Sequence, residues 1–304
     1  MQLDLFEDNK SGILFNIADE FIREREFDQA LSVYRQLQQE YPADRHSAAL
    51  LELLDEWSRE LDGLAIDPLD PEKCNSIWKR LDSISHPLLR RTVLDLLAAR
   101  LSALPEPAWL YVAPRFHCGH VLLESGCYPE AADCFGAALS VPGLERGRFL
   151  AWRGDALTLA NQPEDALNSY CEAFLDDPGS IDLPFIKNRT IRDLIASLGF
   201  EAGDEIDEEQ QTAWLPVWGW LQGLFSLPLP SLFSAESFDS ASCKAMIAAD
   251  PDCVPRLWFD WLARAEWLRS APGDGRELAA VRRLMKKTSG FMFSYYLDTV
   301  RGKG

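Results

Sequence analysis

The chain has 304 residues, 47% of them hydrophobic and 26% charged, which is ordinary for a chain that buries a large core. Forty-eight acids against thirty bases leave a net charge of −18, and such a surface repels phosphate backbones, so nucleic-acid binding by the general surface is disfavoured. The seven cysteines are an odd number without a CxxC pair, and Cys118, Cys134 and Cys171 read as reduced core thiols of a cytoplasmic protein, while MQLDLFEDNK has neither the basic nor the apolar region of a signal peptide.

Gln2-Leu3-Asp4-Leu5-Phe6 opens the chain, within a short segment (1–10) set apart from the first helical unit. Residues 11–44 then read as two amphipathic helices joined by a tight turn. Leu14, Ile17, Ala18 and Phe21 share one face, and Phe27, Ala30, Leu31, Tyr34 and Leu37 share another, with Pro42 closing the unit. Such a pair cannot bury its stripe alone and calls for stacked neighbours. Helices are expected at 46–61, 71–84 and 87–104, the second opened by Asp70-Pro71 in the favoured cap-then-proline order.

The pattern returns twice. Residues 112–145 carry Gly119, Leu122, Gly126, Tyr128, Ala131, Phe135 and Ala138, and residues 147–180 carry Gly154, Leu157, Asn161, Ala166, Tyr170 and Ala173. Gly126 and Asn161 are the residue types that tolerate the left-handed turn between two helices. A further helix is expected at 186–198. Glu201–Glu209, with six acids and no base, reads as an exposed linker (201–212) or helix start.

The stretch 213–233 is free of charge over a membrane-span length, but Pro216, Pro228 and Pro230 break it, so a buried helix is expected rather than a span. The Trp-rich region from 213 to 304 shows no repeat. Trp214, Trp218, Trp220, Trp258, Trp261 and Trp267 read as core, and helices are expected at 255–270, 276–287 and 291–300. The segment 276–304 has seven bases and two acids, with Arg282, Arg283, Lys286 and Lys287 on one helix as a solvated face or a contact for an acidic partner.

The order of small and aromatic residues in 11–44, 112–145 and 147–180 resembles the tetratricopeptide repeat. That resemblance implies an all-α, TPR-like helical-hairpin solenoid (11–200) continuing into a non-repeat helical region. It also implies a concave, peptide-binding groove, here Phe15, Asp19, Ile22 and Arg23, then Phe116, His120, Leu123 and Glu124, then Asp155. The Lys and Asn residues with which chaperone-adaptor members grip a C-terminal carboxylate are absent, so an amphipathic or basic peptide is the expected partner.

Gln2 to Phe6 resembles the pentapeptide by which bacterial polymerases, mismatch-repair and initiation-control proteins bind the replication sliding clamp. Leu5 and Phe6 would be its apolar anchors and Gln2 its orienting group. The same Leu3, Leu5 and Phe6 are also placed to staple the first helix.

No GxGxxG, GxxxxGK[ST] or GxSxG occurs, and the carboxylate pairs lie in surface-like runs, so no enzyme and no cofactor is expected. His117, His120 and Glu124, at i, i+3 and i+7, describe either a metal-binding face or a solvated one. The sequence thus points to a non-enzymatic protein-interaction scaffold of the bacterial cytoplasm, with the N-terminal motif as a tether.

Overall fold

A computed structural model describes residues 4–62, 64, 69–228, 238–270 and 275–302, with side chains from residue 10 onward. The protein is all-α: fifteen α-helices and one two-stranded ribbon are present among the described residues. It divides into two compact units, Met1–Cys134 and Phe135–Gly304.

In the first unit α1 (Asp4–Arg23) packs on α2 (Phe27–Glu40), and α2 on α3 (Arg45–Asp62). Next come α4 (Pro71–Arg80) and α5 (Pro87–Ser102), the latter packed on α1. Both begin with proline at the first position, which loses no hydrogen bond there. Their caps are Asp70, whose carboxylate accepts the Glu72 amide at 3.0 Å, and His86, whose Nδ1 accepts the Leu89 amide at 3.2 Å. Arg80 reaches Glu60 at 2.8 Å and also Glu56, and its guanidinium lies 5.2 Å from the Trp57 ring centroid.

The 112–145 segment departs from its expected first helix. A ribbon of β1 (Tyr111–Val112) and β2 (Phe116–His117) takes up its start, leaving only α6 (Cys118–Glu124) before α7 (Tyr128–Ala138). Pro114 accounts for this, because it disfavours helical backbone at the residue before it. The division between the two units falls within α7.

In the second unit α8 (Arg146–Leu159) packs along α9 (Pro163–Asp176), and the Ser169 hydroxyl donates to the Leu150 carbonyl at 2.9 Å. Then follow α10 (Arg189–Ala202), α11 (Glu208–Leu221), α12 (Ser240–Ala249), α13 (Val254–Ser270), α14 (Gly275–Thr288) and α15 (Gly290–Gly302). Most of the acidic stretch is helical: it ends α10, forms a turn of 3₁₀ helix at Gly203–Glu205 and opens α11 with Glu208 and Glu209, which suit a helix N-terminus.

α11 is the core helix of this unit, packed against α9, α10, α13 and α15. Trp214 to Trp220 are all buried, as expected of a helix apolar on every side. The Trp218 indole donates to Ser197 at 2.8 Å, and the Trp258 indole to the Met285 carbonyl at 3.2 Å. Trp258 and Trp261 are buried and Trp267 partly so. No helix among the described residues is long and apolar enough to cross a membrane.

Three hairpin turns share one geometry. Arg25, Gly126 and Asn161 have φ of 66°, 81° and 59°. The residue after each donates its amide hydrogen five residues back: Glu26 to Phe21 at 2.8 Å, Cys127 to Leu122 at 2.9 Å, and Gln162 to Leu157 at 2.9 Å. This is the Schellman arrangement that closes a helix on a left-handed residue. Five residues after each left-handed residue stands a fully buried alanine: Ala30, Ala131 and Ala166. Seven residues before stands a small one: Ala18, Gly119 and Gly154. At Gly154 the approach is close, since a Cβ would lie 2.9 Å from the Tyr170 ring.

Candidate functional site

The first candidate is α1. Gln2 and Leu3 lie outside the described residues, whereas Asp4, Leu5 and Phe6 form the start of α1 itself. From Asp4 onward the chain is therefore continuous helix into the first hairpin, in place of the separate segment 1–10 expected from the sequence.

Further along the same helix Ile13 is 51% exposed and Ile17 40% exposed. One turn apart, they share a face. Helical periodicity predicts a buried Ile17; it instead stands on an apolar surface strip that periodicity alone does not separate from core.

The expected groove residues of α1 are engaged inside their own unit. The Phe15 ring packs edge-on to Tyr34 at 6.1 Å and lies 5.7 Å from His46 of α3. Asp19 accepts from His86 of α5: His86 Nδ1 is committed to the Leu89 amide, so its Nε2–H points at Asp19 Oδ1, 3.3 Å away. Ile22 is 1% exposed, and the exposed Arg23 pairs with Glu20 at 2.7 Å. Of the four, Ile22 is buried, Phe15 and Asp19 are half-buried against α2, α3 and α5, and Arg23 alone is fully exposed.

Of the expected groove set of the second hairpin, the ribbon takes Phe116 and α6 keeps His120, Leu123 and Glu124. Phe116 sits on β2 rather than on a helix, 1% exposed and 6.3 Å from Trp78. His120 is half-buried with its ring 6.5 Å from the same Trp78, Leu123 is buried, and Glu124 is exposed.

His117 is the N-cap of α6 and fully buried. Its Nε2–H donates to the Ala108 carbonyl at 2.9 Å and its Nδ1 accepts the Gly119 amide at 3.0 Å. Burial lowers its pKa to about 4, partly opposed by the Ala108 contact, so the ring is neutral. Both nitrogens are used, and the His117–His120–Glu124 metal face expected from helical spacing does not form. No group of three or more His, Cys, Asp or Glu side chains able to hold a metal occurs among the described residues. Cys118 and Cys134 are neighbouring buried thiols, the Cys134 S–H donating toward Cys118, which holds the Cys134 pKa high and the Cys118 pKa low.

Asp155 is 5% exposed, in place of the expected contact with a partner. Its Oδ1 accepts the Tyr170 hydroxyl at 2.5 Å and the Lys187 amide at 2.6 Å. Nearby, Asn188 donates to Thr158 at 2.9 Å and caps the Ile191 amide at 3.1 Å. This polar cluster ties the α8–α9 hairpin to the start of α10, a structural role that repeat spacing does not reveal. No family model, curated protein or solved structure matches the chain.

Proposed function

We propose that this protein is a non-catalytic, cytoplasmic adaptor of the tetratricopeptide-like kind that binds protein partners through the outer face of α1, with Gln2–Phe6 as a tether to a bacterial sliding clamp. The observation that carries this reading is the exposed Ile13–Ile17 pair on the helix that runs from Asp4. An exposed pair of isoleucines one turn apart is the kind of anchor that a partner's apolar pocket takes. The repeated turn geometry of the three hairpins supports the repeat-like reading, and the internally filled face at Phe15 and Asp19 moves partner binding from the groove to the outside of α1.

The test is to mix the purified chain with a sliding clamp and to compare Leu5→Ala/Phe6→Ala and Ile13→Asp/Ile17→Asp variants. Loss of binding in the first variant supports the tether, and additional loss in the second supports the α1 strip. Equal binding by all three proteins, or none by the parent, removes the clamp from the reading.

A further inference from the structure

α12 is a ten-residue helix, SASCKAMIAA, rich in alanine with Met246 and Ile247, yet none of its residues is buried, and Met246 is 50% exposed. Helices in proteins owe most of their stability to packing of an apolar face, and the described residues cover that of α12 only partly. Between α12, the first residue of α13 and the last turns of α14 lies a cavity of about 410 Å³. Ile247, Ala248, Val254 and Leu284 form its apolar wall, and Lys244 and Lys287 its two cations. The remaining polar group, Thr288, has its hydroxyl hydrogen directed at the Leu284 and Met285 carbonyls, at 3.0 and 3.1 Å.

The charge around this cavity opposes that of the chain. Lys244 and Lys287 form no ion pair among the described residues, and neither do Arg283 and Lys286 on the adjoining turn of α14. Asp239, the acid closest in sequence to Lys244, accepts the Ala241 amide at 2.9 Å and the Ser242 hydroxyl at 2.6 Å. Asp250 accepts the Asp252 amide at 3.1 Å, and Asp252 accepts the Gln210 side chain at 3.1 Å. In a chain of net charge −18, this unpaired basic group on an apolar hollow is an anion-seeking feature.

We propose that this cavity binds a small amphipathic anion, an unbranched medium-chain carboxylate, with its chain on the four apolar residues and its carboxylate between Lys244 and Lys287. The volume lies toward the lower part of the roughly 300–1,000 Å³ range of small-ligand sites, which suits a single short chain rather than a two-chain lipid. The bound chain adds apolar contact to a helix that the described residues cover only partly.

Isothermal titration of the full chain with decanoate, and with decanol as its uncharged counterpart, tests this. Decanoate is expected to saturate at one per chain below the concentration at which it forms micelles, with decanol at least about tenfold weaker. Raising the salt concentration weakens decanoate and leaves decanol unchanged. Lys244→Gln/Lys287→Gln, at exposed positions where the fold is unaffected, loses at least about tenfold in decanoate affinity without loss for decanol. Ala248→Trp fills the hollow and removes both. Equal affinity for the two probes, binding of many copies, no saturable binding, or decanoate binding unchanged in the double variant overturns the proposal.

Discussion

Tyr170 donates its hydroxyl hydrogen to Asp155 across 2.5 Å, whereas Tyr34 and Asp19, which hold the same places in the first hairpin, form no such bond. Asp19 is turned to His86 instead, and the buried Tyr34 hydroxyl has no hydrogen-bond partner among the described residues. Burial first, and then the Asp19 charge, raise the Tyr34 pKa to about 12. One hairpin therefore has a satisfied polar pair and the other an orphaned hydroxyl. Removing a bonded hydroxyl leaves its buried acceptor short, whereas removing an orphan relieves a desolvation cost. Tyr170→Phe is expected to cost about 1–3 kcal/mol, and Tyr34→Phe to be neutral or stabilising by up to about 1 kcal/mol. Chemical denaturation of the two variants checks this, and equal losses would contradict it.

Asp155 makes the second unit sensitive to pH. Burial raises its pKa from 3.8 to about 6, against the opposing pull of the Tyr170 hydroxyl and the Lys187 amide. Between pH 4 and 6 the folded chain thus holds a proton that the unfolded chain has lost. The stability from this group is fully present at the acid end and falls as pH rises through 6, by on the order of 2–3 kcal/mol. Asp155→Asn keeps an acceptor oxygen for Tyr170 and Lys187 without the buried charge. It is expected to flatten this slope and to match or exceed the parent at pH 7, as read by denaturation at a series of pH values.

His117 acts in the opposite sense in the first unit. Its pKa is lowered from 6.5 to about 4, so on acidification the unfolded chain takes up a proton that the folded ring refuses. Protonating Nδ1 would set an N–H against the Gly119 amide that Nδ1 now accepts. Stability from this group is present above pH 6.5 and falls by on the order of 3 kcal/mol as pH drops through 4. His117→Asn retains a good N-cap but loses the Ala108 contact. It is expected to cost about 1–2 kcal/mol at pH 7 and to remove the acid-side slope. Amide exchange near Ala108 and near Lys187, followed against pH, reads the two units separately.

The contrast between these groups shows how far the sequence was legible. Periodicity and caps placed most helices, because Asp70-Pro71, Gly126 and Asn161 act locally. The buried Trp214, Trp218, Trp220, Trp258 and Trp261 followed from aromatics at helical spacing. Three features escaped. The ribbon at Tyr111–His117 depends on a pairing that residue-by-residue propensity does not express. α12 has the composition of a core helix but buries nothing, so its exposure depends on what surrounds it. The Asp155–Tyr170 and Asp19–His86 contacts arise from side-chain directions across packed helices, and repeat spacing assigns the two acids one common role where the fold gives them two.

The turns themselves make the last prediction. Arg25, Gly126 and Asn161 occupy the same left-handed position, but only glycine does so without a Cβ penalty. A local side-chain bond makes asparagine the next best tenant; an arginine has none of these advantages. Arg25→Gly should relieve about 1 kcal/mol of backbone strain, set against the extra chain entropy that glycine brings to the unfolded state. Asn161→Gly should be near neutral or mildly stabilising, while Gly126→Ala should cost about 1–2 kcal/mol. Nothing lies within 4 Å of a Cβ built on Gly126, so that loss would be conformational and not steric. Denaturation midpoints of the three variants, compared at constant m-value, give the order Arg25→Gly above parent and Gly126→Ala below it. A neutral Gly126→Ala would mean that this turn relaxes out of the left-handed region, and would set the second hairpin apart from the other two.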